Sequence, residues 1–218
     1  MSKIFEAIGQ IGLVPVITID KPQNAVSLAR ALLDGDIGCA EITFRTSSAE
    51  EAIHTIRREC PEMLIGAGTV LTVPQAEQAI RAGAQYIVSP GFDASVVGWC
   101  QEHEVPVLPG VATPTEINMA LARGLKLLKF FPAEELGGSR MLMALYAPYS
   151  EVRFIPTGGV TSHNFAQYLS LPNVVACGGS WIATKSMIAE SRFEEITRLA
   201  REARAIVNQV RGEREVQR

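Results

Sequence analysis

The sequence predicts an α/β fold, and within that class a (β/α)8 TIM barrel with an N-terminal capping helix and a C-terminal closing helix. Short apolar, β-branched runs alternate with amphipathic stretches, which is the pattern of βα units in a parallel sheet. Eight such runs begin at intervals of roughly 20 to 28 residues, the length of one βα unit. The chain has 218 residues, near the lower size limit of such a barrel at about 200. We therefore expect one domain over residues 1–218.

The eight apolar runs are expected to be strands buried on both faces, as in a parallel sheet covered by helices. The predicted strands are Leu13–Ile19, Gly38–Phe44, Met63–Ala67, Gln85–Ser89, Pro106–Leu108, Leu125–Phe130, Arg153–Thr157 and Val174–Cys177. The predicted helices between them are Gln23–Asp34, Ser48–Glu59, Val73–Ala82, Ala94–His103, Pro114–Ala122, Arg140–Tyr146 and Ser162–Leu169. Pro74 and Pro114 suit the first helical turn, where a proline is tolerated.

The two ends of the chain are predicted to be helical as well. Residues 3–11 are expected to cap the bottom of the barrel, and residues 192–211 to form an amphipathic closing helix. A doubly wound open sheet is the alternative architecture. It is less favoured, because the first strand is followed by Asp20–Gln23 without the glycine-rich turn that is common in that fold.

Composition excludes several classes of function. The net charge is −3 and no basic stripe is present, so nucleic acid is not expected as a partner. No apolar segment is long enough to span a bilayer and the N-terminus lacks a secretory signal, so we expect no membrane association. The four cysteines are scattered and the three histidines isolated. This pattern predicts reduced thiols in a cytoplasmic protein, and local spacing supplies no metal-binding cluster.

Lys129 is the most informative residue, because it lies inside the apolar run Leu125–Pro132. Burying an ammonium group without a partner is costly, so a lysine there tends to be a neutral amine, which is a nucleophile toward a carbonyl carbon. The run therefore indicates a Schiff base with a ketone or aldehyde. The alternative is that the amine reaches water, as expected for Lys126 at the start of the run.

Strand ends carry the other candidate groups, since active sites of (β/α)8 barrels lie at the C-terminal ends of the strands. Glu41, Thr43 and Arg45 share one face of the second strand. Glu41 is suited to proton transfer and Arg45 to bidentate binding of a carboxylate. A purely structural Glu41–Arg45 ion pair is the alternative.

Glycine pairs follow the seventh and eighth strands, as Gly158–Gly159 and Gly178–Gly179. In this fold the loops after these strands often bind a phosphate through backbone N–H groups. Either pair alone is also compatible with a simple turn. Taken with Arg45 and Lys129, they indicate a substrate with a carboxylate, an adjacent ketone and a distal phosphate, which is a phosphorylated 2-keto acid.

Seven motifs, in order, resemble the 2-keto-3-deoxy-6-phosphogluconate (KDPG) aldolase family, which also contains 4-hydroxy-2-oxoglutarate (KHG) aldolase. The resemblance covers the chain from about residue 10 to about residue 205. The motifs are Glu41–Thr46, Gly66–Val70, Ser89–Gly91, Pro109–Glu116, Lys129–Glu134, Thr157–Val160 and Gly178–Trp181.

The resemblance implies a metal-independent class I aldolase without a cofactor, with a (β/α)8 barrel assembled as a homotrimer. It implies reversible cleavage of KDPG to pyruvate and glyceraldehyde 3-phosphate in the Entner–Doudoroff pathway. The Schiff-base lysine falls on Lys129 and the general acid/base on Glu41. The pyruvate pocket falls on Arg45, Thr69, Pro90 and Phe131, and the phosphate site on Thr157, Gly158, Gly159, Gly179 and Ser180.

Other readings of the same residues stay open at this point. The substrate is alternatively 4-hydroxy-2-oxoglutarate or the galactonate-derived epimer of KDPG. A sugar-phosphate isomerase or epimerase would keep the glycine loops without an imine-forming lysine. A barrel that only binds a ligand is the third class.

Overall fold

Helices and parallel strands alternate along residues 2–216, the part of the chain that this computed structural model describes; residues 214–216 are described by their backbone alone. The strands are β1 Leu13–Ile17, β2 Cys39–Thr43, β3 Leu64–Gly68, β4 Tyr86–Val88, β5 Val107–Leu108, β6 Gly110–Val111, β7 Leu127–Phe130, β8 Arg153–Pro156 and β9 Cys177–Gly179. The helices are α1 Lys3–Ile11, α2 Ala25–Asp34, α3 Ala49–Glu59, α4 Val73–Ala82, α5 Ala94–Glu102, α6 Pro114–Ala122, α7 Gly138–Tyr146, α8 Phe165–Leu169, α9 Lys185–Ala189 and α10 Phe193–Val216.

The strands form two parallel sheets, with the orders β5-β4-β3-β2-β1-β9 and β6-β7-β8. The predicted α/β class is confirmed, and the parallel sheet is curled into a half-barrel. Isolated parallel bridges between Phe154 and Val174 and between Thr157 and Gly178 connect β8 with the β9 region. These bridges bring the loops after β8 and β9 to the same edge.

The predicted fifth strand, Pro106–Leu108, continues beyond its predicted end as a second short strand, so that the whole strand is divided at Pro109. Val88 pairs with Leu108 on one side of this proline, and Gly110 pairs with Lys129 on the other. Proline has no N–H group to donate to a sheet, but the Pro109 carbonyl accepts a hydrogen bond from the backbone N of Lys129 at 3.0 Å. The chain therefore changes its partner strand at this residue.

Both terminal helices are confirmed, and each buries an apolar face. Phe5 and Ile8 of α1 pack on an inner cluster of strand residues that point away from the outer helices. This inner cluster comprises Val14, Cys39, Tyr86, Val88, Leu108, Leu127, Ile155 and Ala176. Helix α10 packs against α2 and buries Ile196, Ala200, Ala203 and Val207. Helix α9 lies between β9 and α10 and was not predicted from the sequence.

All four cysteines are free thiols in the protein interior. Burial raises the pKa of Cys39 and of Cys100 to about 12. Burial likewise raises the pKa of Cys60 and Cys177 above the usual range of a thiol. Since a thiolate is the reactive form of cysteine, these four side chains are chemically inert packing residues.

Within residues 2–216, no helix is both long enough and apolar enough to cross a bilayer.

Candidate active site

A buried ion pair joins Lys129 of β7 to Glu41 of β2. The Lys129 Nζ lies 3.2 Å from the Glu41 Oε1, and the two side chains are only 6% and 4% exposed. The predicted burial of Lys129 is confirmed. The carboxylate supplies the opposite charge that a buried ammonium group requires.

The position of Arg45 after the second strand suggested Glu41 as its partner, but Arg45 contacts Thr69 instead. Its Nε donates to Thr69 Oγ1 at 3.1 Å, and the side chain is exposed. Glu41 pairs with Lys129 instead, so the alternative of a Glu41–Arg45 ion pair is wrong. The hydrogen bond occupies one edge of the guanidinium group and leaves its terminal nitrogens available for a ligand.

Thr69 itself has a φ of +56°. This left-handed conformation is a genuine outlier for a β-branched residue and stores backbone strain. Strained residues of this kind cluster at active sites and ligand clamps. Here the strained residue accepts a hydrogen bond from Arg45.

One glycine makes room for the ion pair, and a second lets the Pro90 backbone pack beside the strand of Lys129. A Cβ on Gly68, at the end of β3, would lie 2.0 Å from Glu41 Oε1. A Cβ on Gly110, the register partner of Lys129, would lie 2.1 Å from the carbonyl oxygen of Pro90. Gly68 at the end of the third strand thus has a specific role, because the absence of a side chain there lets the Glu41 carboxylate reach Lys129.

A pocket of about 340 Å³ opens at the C-terminal ends of β1, β7, β8 and β9. Its size is within the usual range for small-molecule sites, about 300–1,000 Å³. The Phe131 ring, whose centroid is 5.4 Å from Lys129 Nζ, connects the ion pair to the pocket wall. The lining is Val16, Thr18, Arg45, Phe131, Thr157, Gly158, Gly159, Val160, Gly178, Gly179, Ser180, Ala183, Thr184 and Lys185.

Seven of the eleven site residues expected from the sequence line this pocket: Arg45, Phe131, Thr157, Gly158, Gly159, Gly179 and Ser180. Lys129 and Glu41 do not line it, although Lys129 Nζ lies over the ring of the lining residue Phe131, and Thr69 contacts the lining residue Arg45. Pro90 packs over Gly110, beside the strand of Lys129, and does not line the pocket.

Sequence reasoning missed Val16, Thr18, Thr184 and Lys185. The first two lie on the same face of the first strand as Val14, so alternation there was the signal that could have revealed them. The hydrogen bonds of Thr43 fix the orientation of the Thr18 hydroxyl. Thr43 Oγ1 donates its single proton to the Ile17 carbonyl at 2.9 Å. Thr18 Oγ1 is therefore the donor in the 2.9 Å hydrogen bond between the two threonine hydroxyls.

The loops after β8 and β9 are closely packed against each other and against their neighbours. Gly158 and Gly159 have φ values of +96° and +76°, and a Cβ on Gly159 would lie 2.4 Å from the Glu134 side chain. A Cβ on Gly178 would lie 2.2 Å from Thr157 Oγ1. Side chains are therefore excluded at these positions, and backbone forms this wall of the pocket.

Side chains also hold the loop after β8 in place. Asn164 Nδ2 donates to the Gly159 carbonyl at 3.0 Å, and Asn164 Oδ1 accepts from the Thr161 backbone N at 2.8 Å. The backbone N of Glu134 donates to the Gly158 carbonyl at 3.1 Å. A fixed backbone of this kind is what binding of an anion through N–H groups requires.

A larger cavity, of about 490 Å³, lies at the opposite end of the strands, between the strand starts and α1, where it is lined by Phe5 and the N-cap Ser2. It contains neither Lys129 nor Glu41. Lys126 lies at its edge and pairs with Glu151 at 2.5 Å, with 59% of its side chain exposed. The expectation that Lys126 reaches water is confirmed. The Lys129–Glu41 pair lies at the other end of the strands.

The arrangement at the upper end can support imine chemistry. An amine, a carboxylate within hydrogen-bonding distance of it and a pocket with an exposed arginine are the groups needed to bind a keto acid and transfer its protons. Across residues 2–216, no three or more histidine, cysteine, aspartate or glutamate side chains group closely enough to hold a metal ion.

Comparison with known proteins agrees with this geometry. The model of the family described as KDPG and KHG aldolase matches residues 4–199. The chain is 52% identical over 207 residues to the 2-dehydro-3-deoxy-phosphogluconate aldolase of Treponema pallidum, covering 95% of this chain and 99% of that protein. It is 42% identical to the KHG/KDPG aldolase of Escherichia coli K12, covering 88% and 90%.

A solved structure shows the same likeness in three dimensions. The KDPG aldolase of Legionella pneumophila, crystallised with pyruvate captured as a covalent carbinolamine intermediate, superposes with a TM-score of 0.90 at 38% identity, covering 93% of this chain and 98% of that one. Family model, sequence identity and fold agree over nearly the whole chain. The protein therefore belongs to the KDPG and KHG aldolase family.

Proposed function

We propose that this protein is a class I aldolase that cleaves KDPG reversibly to pyruvate and glyceraldehyde 3-phosphate through a Schiff base on Lys129. The observation that carries the proposal is the buried Lys129–Glu41 pair at 3.2 Å, which the Phe131 ring joins to a pocket lined by the glycine loops. The names of the relatives support the same reaction. The chemistry needs no cofactor, because the protonated imine is itself the electron sink.

In the proposed reaction Glu41 moves the protons and Lys129 forms the covalent bond. Glu41 accepts a proton from the Lys129 ammonium group, and the free amine attacks C2 of the keto acid. Glu41 then protonates the leaving hydroxyl of the carbinolamine, and water departs to give the iminium ion. A single carboxylate serves both steps because it lies within hydrogen-bonding distance of Nζ.

Carbon–carbon cleavage follows from the iminium ion. Glu41, again a carboxylate after the dehydration, accepts the proton of the C4 hydroxyl; the C3–C4 bond breaks, and its electron pair moves into the iminium group to form an enamine. Glyceraldehyde 3-phosphate leaves as the aldehyde. Protonation of the enamine at C3 and hydrolysis of the imine release pyruvate and restore the Lys129 amine.

The two ends of the pocket are assigned to the two charged ends of the substrate. Arg45 binds the carboxylate of the pyruvate half, and Thr69 holds the guanidinium group in place. Phe131 and Pro90 complete the apolar surroundings of the reacting carbon. The phosphate is bound by Thr157, Gly158, Gly159, Gly179 and Ser180, all of which line the far end of the pocket.

The proposal includes a complete (β/α)8 barrel as one domain over residues 1–218. Three observations support closure of the barrel. The fifth strand pairs on both sides of Pro109, bridges connect β8 with the β9 region, and Glu41 and Lys129 meet although they belong to different sheets. A doubly wound open sheet would leave these two side chains far apart.

We also propose a cytoplasmic homotrimer, on the resemblance to the family. The four buried, free cysteines fit a reducing compartment. Light scattering of the purified protein is expected to give three times the mass of one chain. A mass equal to one chain at micromolar concentration would contradict the trimer and leave the reaction unaffected.

Trapping with borohydride tests the reaction mechanism. Incubation with pyruvate and borohydride is expected to add one reduced pyruvyl group to the intact protein, and peptide mapping to place it on Lys129. The control is borohydride without pyruvate. Absence of an adduct on a folded protein would remove the imine and favour a sugar-phosphate isomerase or epimerase. Cleavage rates with KDPG, its galactonate-derived epimer and 4-hydroxy-2-oxoglutarate then identify the preferred substrate.

A further inference from the structure

Lys185 is a cationic side chain at the phosphate end of the pocket that the proposed reaction has not used. Arg45 and Lys185 are the two cationic residues of the lining, and Arg45 is engaged with Thr69 at the carboxylate end. We propose that Lys185 binds the distal phosphate of the substrate and that Asp20 pairs with the lysine before the substrate binds. The inference rests on the proposed function and adds a specificity-determining residue to it.

The position of Lys185 follows from the loop after β9. The chain passes from Gly179 and Ser180 to Thr184, which is the N-cap of α9 and whose side chain accepts from Met187 N at 3.3 Å. Ser180, Thr184 and Lys185 all line the same wall. The amine is thus attached to the backbone that is expected to hold the phosphate.

Charge explains why a cation is needed there. A phosphate monoester carries a charge of about −1.5 to −2 at neutral pH, whereas the glycine loops offer only backbone dipoles and hydroxyl groups. The two acidic groups that face Lys185 and Lys129 reduce the positive potential of the pocket further. A lysine at the mouth is the fixed charge that complements a dianion, and it binds a phosphate as a point charge without strict geometry.

The present partner of Lys185 is Asp20, at 2.9 Å, and the two side chains are 61% and 45% exposed. Exposed pairs of this kind contribute little to stability, so exchange of the carboxylate for a phosphate is energetically easy. The Asp20 backbone is fixed, since Ser48 Oγ donates to its carbonyl at 2.7 Å. Asp20 therefore stays near the pocket and competes with the phosphate for the lysine.

Kinetics with matched substrates tests this assignment. Lys185→Gln is expected to raise KM for KDPG on the order of ten-fold, the effect of losing a charged hydrogen bond. Pyruvate trapping on Lys129 should persist, the loss should be much smaller with unphosphorylated 2-keto-3-deoxygluconate than with KDPG, and Lys185→Arg should retain a low KM. The matched control is Lys126→Gln, which removes an equally exposed, paired lysine at the opposite end.

Asp20→Asn should change KM for KDPG in the direction opposite to Lys185→Gln. Removing the competing carboxylate should lower KM for KDPG a few-fold, and this gain should disappear in Asp20→Asn/Lys185→Gln, because the two residues act through one contact. An unchanged KM in Lys185→Gln would overturn the inference, and so would an equal loss with the unphosphorylated substrate. A wild-type protein without a pyruvate adduct would instead overturn the proposed function, so the two failures are distinguishable.

Discussion

Replacing Lys129 by alanine is expected to abolish carbon–carbon cleavage, with kcat reduced by about 10⁴-fold or more, as for loss of a covalent nucleophile. The pyruvate adduct should be lost together with the cleavage. We expect no takeover by Lys126, which lies at the opposite end of the strands, or by Lys185, which lies at the end of the pocket assigned to the phosphate. The measurement is the rate of pyruvate release from KDPG, with borohydride trapping on the same preparation.

The same substitution also removes the partner of a buried carboxylate. Breaking one side of a buried ion pair destabilises a protein by about 3–5 kcal/mol, so Lys129→Ala is expected to unfold at lower urea concentration than the wild type. Lys129→Met/Glu41→Gln removes both charges at nearly constant volume and should recover much of this loss while remaining inactive. Cleavage activity in either well-folded variant would contradict the assignment of Lys129.

Replacing Glu41 by glutamine is expected to lower kcat by about 10²–10⁴-fold, the usual contribution of a positioned general acid/base. Glutamine keeps the size and one acceptor oxygen near Lys129 Nζ but cannot take up a proton. Because the amine remains in place, the borohydride adduct with pyruvate should still form on Lys129 at a reduced rate. Trapping that persists while cleavage falls would separate the proton-transfer role of Glu41 from the covalent role of Lys129.

A second glutamate supplies the control for this variant. Glu116 closes the capping box of α6, where its carboxylate accepts from the backbone N of Ala112 and of Thr113 at 2.7 and 2.8 Å. It does not line the pocket. Glu116→Gln is expected to reduce stability slightly and leave kcat unchanged. Equal losses of activity in Glu41→Gln and Glu116→Gln would show that the first effect is structural.

Local pattern accounts for the parts of the fold that the sequence predicted well. Residues 3–11 form α1 as predicted, because its apolar positions recur with helical spacing and Gly12 ends it in a left-handed conformation. The burial of Lys129 was predictable for a similar reason, since a lysine within a continuous apolar run has few ways to reach water. Helix α9, with five residues, is too short for its periodicity to be detected.

Contacts between distant elements account for what could not be predicted. Glu41 and Lys129 are 88 residues apart in the sequence, and alternation along one strand says nothing about which strand lies opposite. The same alternation made Arg45 the natural partner of Glu41, although the curvature of the sheet brings Lys129 closer. The division of the fifth strand depends on the register of both neighbours, which no local signal specifies.

The chemical inertness of the four buried cysteines has a practical consequence for studying the site. Any cysteine introduced at an accessible position would be the one thiol in the described chain that reacts readily with alkylating reagents. Lys185→Cys, at a position where the lysine side chain is 61% exposed, could thus be alkylated with 2-bromoethylamine to give a thioether analogue of lysine, without prior removal of the native cysteines. The burial of the native thiols therefore allows the amine at this position of the pocket to be varied chemically.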